Sequence, residues 1–274
     1  MMDAQLMELR QAALFWLRES DPARKVDGVR QLARDYSSRR IELDSHAVLR
    51  ATGIIPGIPA KPELVLPREV RRRSMVTVEG RAILIHALVH IEFNAINLAL
   101  DAIWRFADMP QEYYADWLQV ADEEALHFSL LAAHLQDMGY AYGDFPAHAS
   151  LWEMADKTGS DVLSRMALVP RTMEARGLDA VPSIRAKLVQ AGDMKVAEIL
   201  DIILRDEIGH VAIGNRWYGY LCELRGQDPL GTYAALSAIY AAPVLRAPLN
   251  LSARRAAGFS EPELAALIAQ SGRE

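Results

Sequence analysis

Glu123-Glu124-Ala125-Leu126-His127-Phe128 and Asp206-Glu207-Ile208-Gly209-His210-Val211 are the two runs whose reading decides the fold. Each contains a Glu-x-x-His pair, Glu124 with His127 and Glu207 with His210. On an α-helix a spacing of three residues puts both side chains on one face, one turn apart. A carboxylate and an imidazole stacked in this way can bind the same or adjacent metal ions. At helical spacing, Glu124 shares its face with Trp117, Val120, Phe128 and Leu131. Glu207 shares its face with Leu200, Ile203, Leu204, Val211 and Trp217. Charges on an apolar, core-facing stripe are costly unless they are paired or bound to metal.

Two further glutamates show the same anomaly. Glu92 sits among Ile85, Leu88, Val89, Ala95, Ile96 and Ala99, and Glu174 among Leu163, Met166, Ala167, Pro170 and Leu178. Glu92 precedes Glu124 by 32 positions, Glu174 precedes Glu207 by 33, and 50 separate Glu124 from Glu174. The pattern is two helix hairpins joined by a longer crossover, each hairpin giving a Glu and then a Glu-x-x-His. That is the plan of four-helix bundles with carboxylate-bridged dimetal centres. The predicted fold is therefore all-α, a ferritin-like four-helix bundle with extra N- and C-terminal helices. Four carboxylates and two imidazoles suit iron or manganese rather than a thiolate or all-oxygen site, so the expected cofactor is two metal ions, iron and/or manganese.

The competing interpretation is a set of core salt bridges to Arg165, Arg171, Arg176 or Arg205. Any single pair could be explained so; six residues in this order favour metal. Glu123 or Asp206 could stand in for its neighbour, since each lies four residues before the histidine, but Glu124 and Glu207 have the more apolar surroundings. His86 and His90 form an i, i+4 pair off the Glu92 face, beside Asn94, Asn97 and Asp101, where ordinary polar contacts are expected. His134 is expected to be a core histidine. Tyr140, Tyr142, Asp144 and His148 either line an entrance or cap the crossover loop.

Outward from these runs, the chain begins with two short helices, about 4–19 and 22–36. A segment with Gly53, Pro56, Gly57, Pro59, Pro62 and Pro67 cannot be helix interior. Its Ile54, Ile55, Leu64, Val65 and Leu66 suggest an extended strap packed on the body. Long segments then run from Glu79 to Met109, from Pro110 to Gly139, from Ser160 to Gly177 with a bend at Pro170, and from Asp193 to Gly226. A loop of about 20 residues follows Gly139, and a short helix spans 183–190. Pro243 and Pro248 mark the tail, whose last helix opens with a Ser260/Glu263 capping box. The predicted organisation is an N-terminal region over 1–60, a four-helix bundle over 61–226 and a C-terminal helical extension over 227–274.

The formal charge of −6 offers no general attraction for nucleic acid, and Arg71, Arg72 and Arg73 form the only dense basic run. With Cys222 the sole cysteine, no intrachain disulfide can form. There is no signal-peptide pattern at the start and no run of about 18 uninterrupted apolar residues, so neither export nor a membrane partner is expected, and a cytoplasmic location is expected by default.

The sequence resembles the ferritin-like proteins of domain-of-unknown-function family 455. The resemblance rests on Ala87-Leu88-Val89-His90-Ile91-Glu92, on the Glu123–Phe128 run and on Tyr142-Gly143-Asp144. It continues through Leu168-Val169-Pro170-Arg171, Glu174-Ala175-Arg176-Gly177-Leu178-Asp179 and the Asp206–Val211 run. It covers most of the chain from about Lys61 to Phe259, and it implies the fold and the metal ligands but no reaction. A more distant similarity links this architecture to dimetal hydroxylases that modify tRNA; the acidic charge argues against nucleic acid, with tRNA left open.

The expected function is an oxidoreductase that activates dioxygen or peroxide on an unknown small-molecule substrate. Glu92, Glu124 and His127 would hold one metal and Glu174, Glu207 and His210 the other, with Arg171, Arg176, Asp206 and His90 supporting them from behind. The alternative is a non-enzymatic iron-binding or storage protein of the same fold. Long extensions on both sides of the bundle favour a covered pocket, in a monomer or small homo-oligomer, over a storage shell. A bundle that has lost activity and serves as an interaction module is a third reading, which the intact ligand set disfavours.

Overall fold

The structure, a computed structural model, describes residues 8–70 and 74–271. The basic run at 71–73 and the start of the first predicted helix lie outside the described residues. The chain is all-helical and divides into two compact units, Met1–Ser150 and Leu151–Glu274.

In the first unit, helices α1 (Leu9–Leu17) and α2 (Pro22–Ser37) precede the long helices α3 (Val78–Arg105) and α4 (Gln111–Asp137). α3 and α4 form a hairpin, with α1 packed on α3 and α2 on α4. The side chain of Thr77 accepts the Gly80 N–H and starts α3. The next turn into α4 is fixed by Tyr114, whose hydroxyl donates to the Phe106 carbonyl at 2.9 Å and accepts the Met109 N–H at 3.2 Å. α3 is long and apolar enough to cross a membrane, with a mean hydropathy of 1.6 over its most apolar window, but 83% of that window is buried. Its apolarity is accounted for by core packing within the fold.

The strap between α2 and α3 is held by its backbone more than by its apolar side chains. Ile54, Leu64 and Leu66 are exposed, whereas Pro56, Gly57 and Pro62 are buried. The buried Arg10 guanidinium donates to the carbonyls of Ser45 at 3.1 Å, Ala47 at 2.7 Å and Trp104 at 2.9 Å, tying the start of this segment to α3. Farther on, Val65 N–H donates to the Ala147 carbonyl and Ala147 N–H to the Glu63 carbonyl, joining the strap to the loop after α4.

The second unit contains α5 (mostly within it, Ser150–Lys157), α6 (Val162–Leu168), a π-helical stretch (Val169–Glu174) and α7 (Ala175–Gln190). It continues through α8 (Met194–Leu224), α9 (Pro229–Ile239), α10 (Leu251–Ala256) and α11 (Glu261–Ser271). Helix α5 occupies part of what the sequence suggested was loop, and α9 and α10 lie in the tail where only the last helix was anticipated. The expected bend at Pro170 is a widened π turn. The expected break before Ser183 does not occur, because α7 runs through Pro182. A proline cannot donate to the carbonyl four residues back. That carbonyl, on Leu178, instead accepts from Asn250 Nδ2 at 3.1 Å.

α8 approaches the π stretch closely at Gly214. A Cβ there would lie 2.5 Å from Pro170 Cβ, so glycine is the residue that permits this contact. Ala175, Leu178 and Val211 share a core with Leu245, Ala253, Ala257, Phe259, Leu264 and Leu267 of the tail. At the head of α11, Glu263 Oε2 accepts both the backbone N–H and the hydroxyl of Ser260, the carboxylate half of the predicted capping box.

Candidate metal centre

In the first unit, the α3–α4 hairpin brings Glu92, Glu124 and His127 together. Each is buried, and one ligand atom from each lies within 4.8 Å of the others. His127 Nδ1 is 3.4 Å from Glu92 Oε2 and 3.4 Å from Glu124 Oε2. The one-turn spacing on α4 supplies Glu124 and His127, and packing of α3 supplies Glu92. Glu123 is only half-buried and accepts a hydrogen bond from Gln119 Nε2 at 3.0 Å, so Glu124 is the residue that faces the histidine.

Burial opposes a charge on His127, but the Glu124 and Glu92 carboxylates outweigh it and raise its pKa to about 12. Burial, then the neighbouring charge of Glu124, push the Glu92 carboxyl up to about 8. Glu92 Oε2 accepts no hydrogen bond, its ion pair with the imidazole being long. Two carboxylates around one imidazole, crowded and buried, form a donor set that fits a divalent ion. This buried group could hold metal.

Behind the triad, His90 is fixed by three groups. Its Nε2 lies 3.1 Å from the His148 carbonyl, its Nδ1 2.9 Å from the Tyr142 hydroxyl, and Asn94 Nδ2 donates to its backbone carbonyl at 2.8 Å. Burial pushes the His90 pKa down to about 4, so the ring is neutral, donating through Nε2 and accepting the tyrosine hydroxyl at Nδ1. His86 Nε2 accepts the Gly143 N–H at 2.9 Å. Gly143 has φ +107°, a conformation that side chains rarely adopt.

The Tyr142 ring packs against Phe93 and Phe128, the residues that follow Glu92 and His127 in sequence. Tyr142 and His148 are two of the four crossover-loop residues that the sequence singled out, and both hold His90 here. Asp144 Oδ2 accepts the Ala141 N–H at 2.7 Å, a loop cap. His134 is buried in α4.

In the second unit, Glu207 and His210 are buried one turn apart on α8, with His210 Nδ1 3.9 Å from Glu207 Oε1. Glu174 is half-buried and ends the π stretch. Asp206 pairs with the adjacent Arg205 at 2.8 Å, and Arg176 is exposed. Arg171 is buried and engages Glu263 and Asn215. Arg165 is also buried, donating to the Thr158 hydroxyl and the Ala155 carbonyl.

Comparison with known proteins adds relationship without activity. The model of a family described as "Protein of unknown function (DUF455)" matches residues 18–265. A protein of Haemophilus influenzae described as uncharacterized is 52% identical over 217 residues, covering 77% of this chain and 75% of its own length. No solved structure matches.

Proposed function

Since the chain belongs to the DUF455 family, whose description states no activity, we propose its function from the site: a dimetal oxidoreductase built on a ferritin-like bundle. The observation that carries this reading is the buried Glu92–Glu124–His127 triad, with both carboxylates 3.4 Å from one imidazole nitrogen. The second Glu-x-x-His pair on α8 repeats the α4 arrangement. In this reading Glu92, Glu124 and His127 would hold one metal and Glu174, Glu207 and His210 the other. Iron, or iron with manganese, supplies redox chemistry toward dioxygen or peroxide when bound there.

The chain's own residues do the rest. The four carboxylates offset the metal charge, and burial of the triad keeps bulk water away. His90, two residues before Glu92, is locked by Tyr142 and His148 and so steadies that turn of α3. The proposed substrate is a small organic molecule, since the charge of −6 offers no general attraction for a polyanion.

Metal analysis of aerobically purified protein, with X-ray absorption at the iron and manganese edges, tests the reading. About two ions per chain are expected from a paired Glu and Glu-x-x-His design. Metal-replete protein that holds zinc alone, or no metal, overturns it.

A further inference from the structure

We propose that the C-terminal segment from Asn250 to Glu263 is a clamp that fixes the backbone carrying Glu174. The inference rests on the dimetal reading only for the role of Glu174 as a ligand. Glu174 closes a π-helical stretch, a geometry that is rare, commonly short and frequently found at functional sites. Such a stretch needs support from outside its own backbone, and tail side chains reach it on both flanks.

Upstream of Glu174, the buried Arg171 guanidinium donates to Glu263 of α11 and, at 2.8 Å, to Asn215 of α8. Three rings surround it, Tyr218 at 4.7 Å, Phe259 at 4.8 Å and Tyr233 at 5.0 Å. Arg171 thus serves the clamp as a positioning residue. Thr172 adds a hydrogen bond to the Tyr233 hydroxyl at 2.9 Å while its own hydroxyl donates to the Ala167 carbonyl.

Downstream, the fully buried Arg254 donates to Asp179 Oδ2 at 2.6 Å and to the carbonyl of Ala175, the residue after Glu174, at 3.2 Å. Asn250 completes this flank by taking the Leu178 carbonyl that Pro182 leaves without its helical donor. Phe259 lies against both guanidiniums, 4.8 Å from Arg171 and 5.3 Å from Arg254, and so couples the two flanks. Desolvated cation–ring contacts and buried charge-assisted hydrogen bonds of this kind are the strong members of their classes. Together they leave the Glu174 turn little freedom to shift.

The test uses the full-length chain and two variants, Glu263→Gln and Asn250→Ser, each checked for native helicity by circular dichroism. Amide hydrogen exchange over residues 169–178 should quicken by about tenfold or more, with α3, α4 and the middle of α8 unchanged. In an iron titration the variants should bind one ion as the unaltered chain does and the second about tenfold more weakly. Uniform quickening across the second unit, or none, overturns the clamp. So does unchanged affinity for both ions beside a wild type that holds two. A wild type that holds no metal would remove the dimetal reading, while the exchange arm would still judge the clamp. If either variant fails to fold, the other supplies both measurements.

Discussion

Glu124 Oε2 lies 3.4 Å from His127 Nδ1, one turn along the same helix, and Glu92 Oε2 meets that nitrogen at the same distance from the neighbouring helix. One imidazole therefore faces two buried carboxylates. Under the dimetal reading, this arrangement predicts which substitutions release metal and which do not. Glu124→Ala and His127→Ala should lose about one metal ion per chain or more, because each removes a donor from a closed set. His86→Ala should keep its metal, since that ring receives the Gly143 N–H and packs on Tyr142 and Phe145. Elemental analysis of the three proteins decides, and metal loss confined to His86→Ala would reverse the assignment.

The same triad sets a pH dependence for metal. Folding raises the pKa of Glu92 from 4.5 to about 8 and that of His127 from 6.5 to about 12. Both groups bind protons more tightly folded than unfolded, so the metal-free protein loses stability as pH rises, through Glu92 between 4.5 and about 8 and through His127 between 6.5 and about 12. Metal displaces those protons and stabilises the folded state by mass action, most strongly at the upper end. The gap between holo and apo melting temperatures should shrink from about pH 8 towards about pH 5. Glu92→Gln should narrow it at every pH. Identical melts with and without metal would leave the carboxylates as salt-bridge residues only.

Lys25 gives a second, metal-independent pH signal. Its ammonium is buried, donates to Asn97 Oδ1 and the Leu17 carbonyl, and lies 4.7 Å from the Phe93 ring centre. Burial lowers its pKa from 10.5 to about 7, with Glu19 pulling weakly the other way. The unfolded chain binds this proton more tightly, so this contribution to stability rises with pH between about 7 and 10.5. Lys25→Met should flatten that rise in urea unfolding. It should also cost roughly 1–3 kcal/mol at high pH, from the stranded Asn97 Oδ1, while the Leu17 carbonyl keeps the Gly57 N–H at 2.8 Å. An unchanged slope would show that Lys25 is not the group responsible.

Gly214→Ala should destabilise the protein by about 1–3 kcal/mol, the usual range for overpacking. The new methyl would fall 2.5 Å from Pro170 Cβ, in a contact where backbone and ring have little room to retreat. Chemical denaturation measures the loss. An unshifted midpoint would mean that the π stretch moves aside without cost.

A catalyst and an iron store differ in assembly. The proposed enzyme should be a monomer or small oligomer that takes up about two iron ions per chain and stops. A store should form a large shell that keeps accumulating iron. Light scattering with a ferrous titration on one preparation separates them, and an iron-loaded shell would end the catalytic reading.

The sequence by itself determined the helical class, the α3–α4 hairpin and the pairing of Glu with His on α4 and α8, because those features are periodic and local. A three-residue spacing fixes one helix face whatever the partner, and Asp193 caps α8 where its sequence position predicts. Glu92 was legible too, since a carboxylate in an apolar stripe is anomalous before any contact is known. Only the tertiary structure decided how the breaks are resolved. The third long segment reads as ending at Gly177, with a short helix from 183, yet α7 continues through Pro182, and Asn250, 68 residues later, donates to the carbonyl that proline strands. Pro170 reads as a kink, yet it sits in a π turn against Gly214. Arg171 reads as a neighbour of the metal ligands, yet its guanidinium engages Glu263 and three aromatic rings. Each of these outcomes depends on a donor or a surface far away in the chain, and local propensity carries no information about which distant group will satisfy a freed carbonyl or a buried charge.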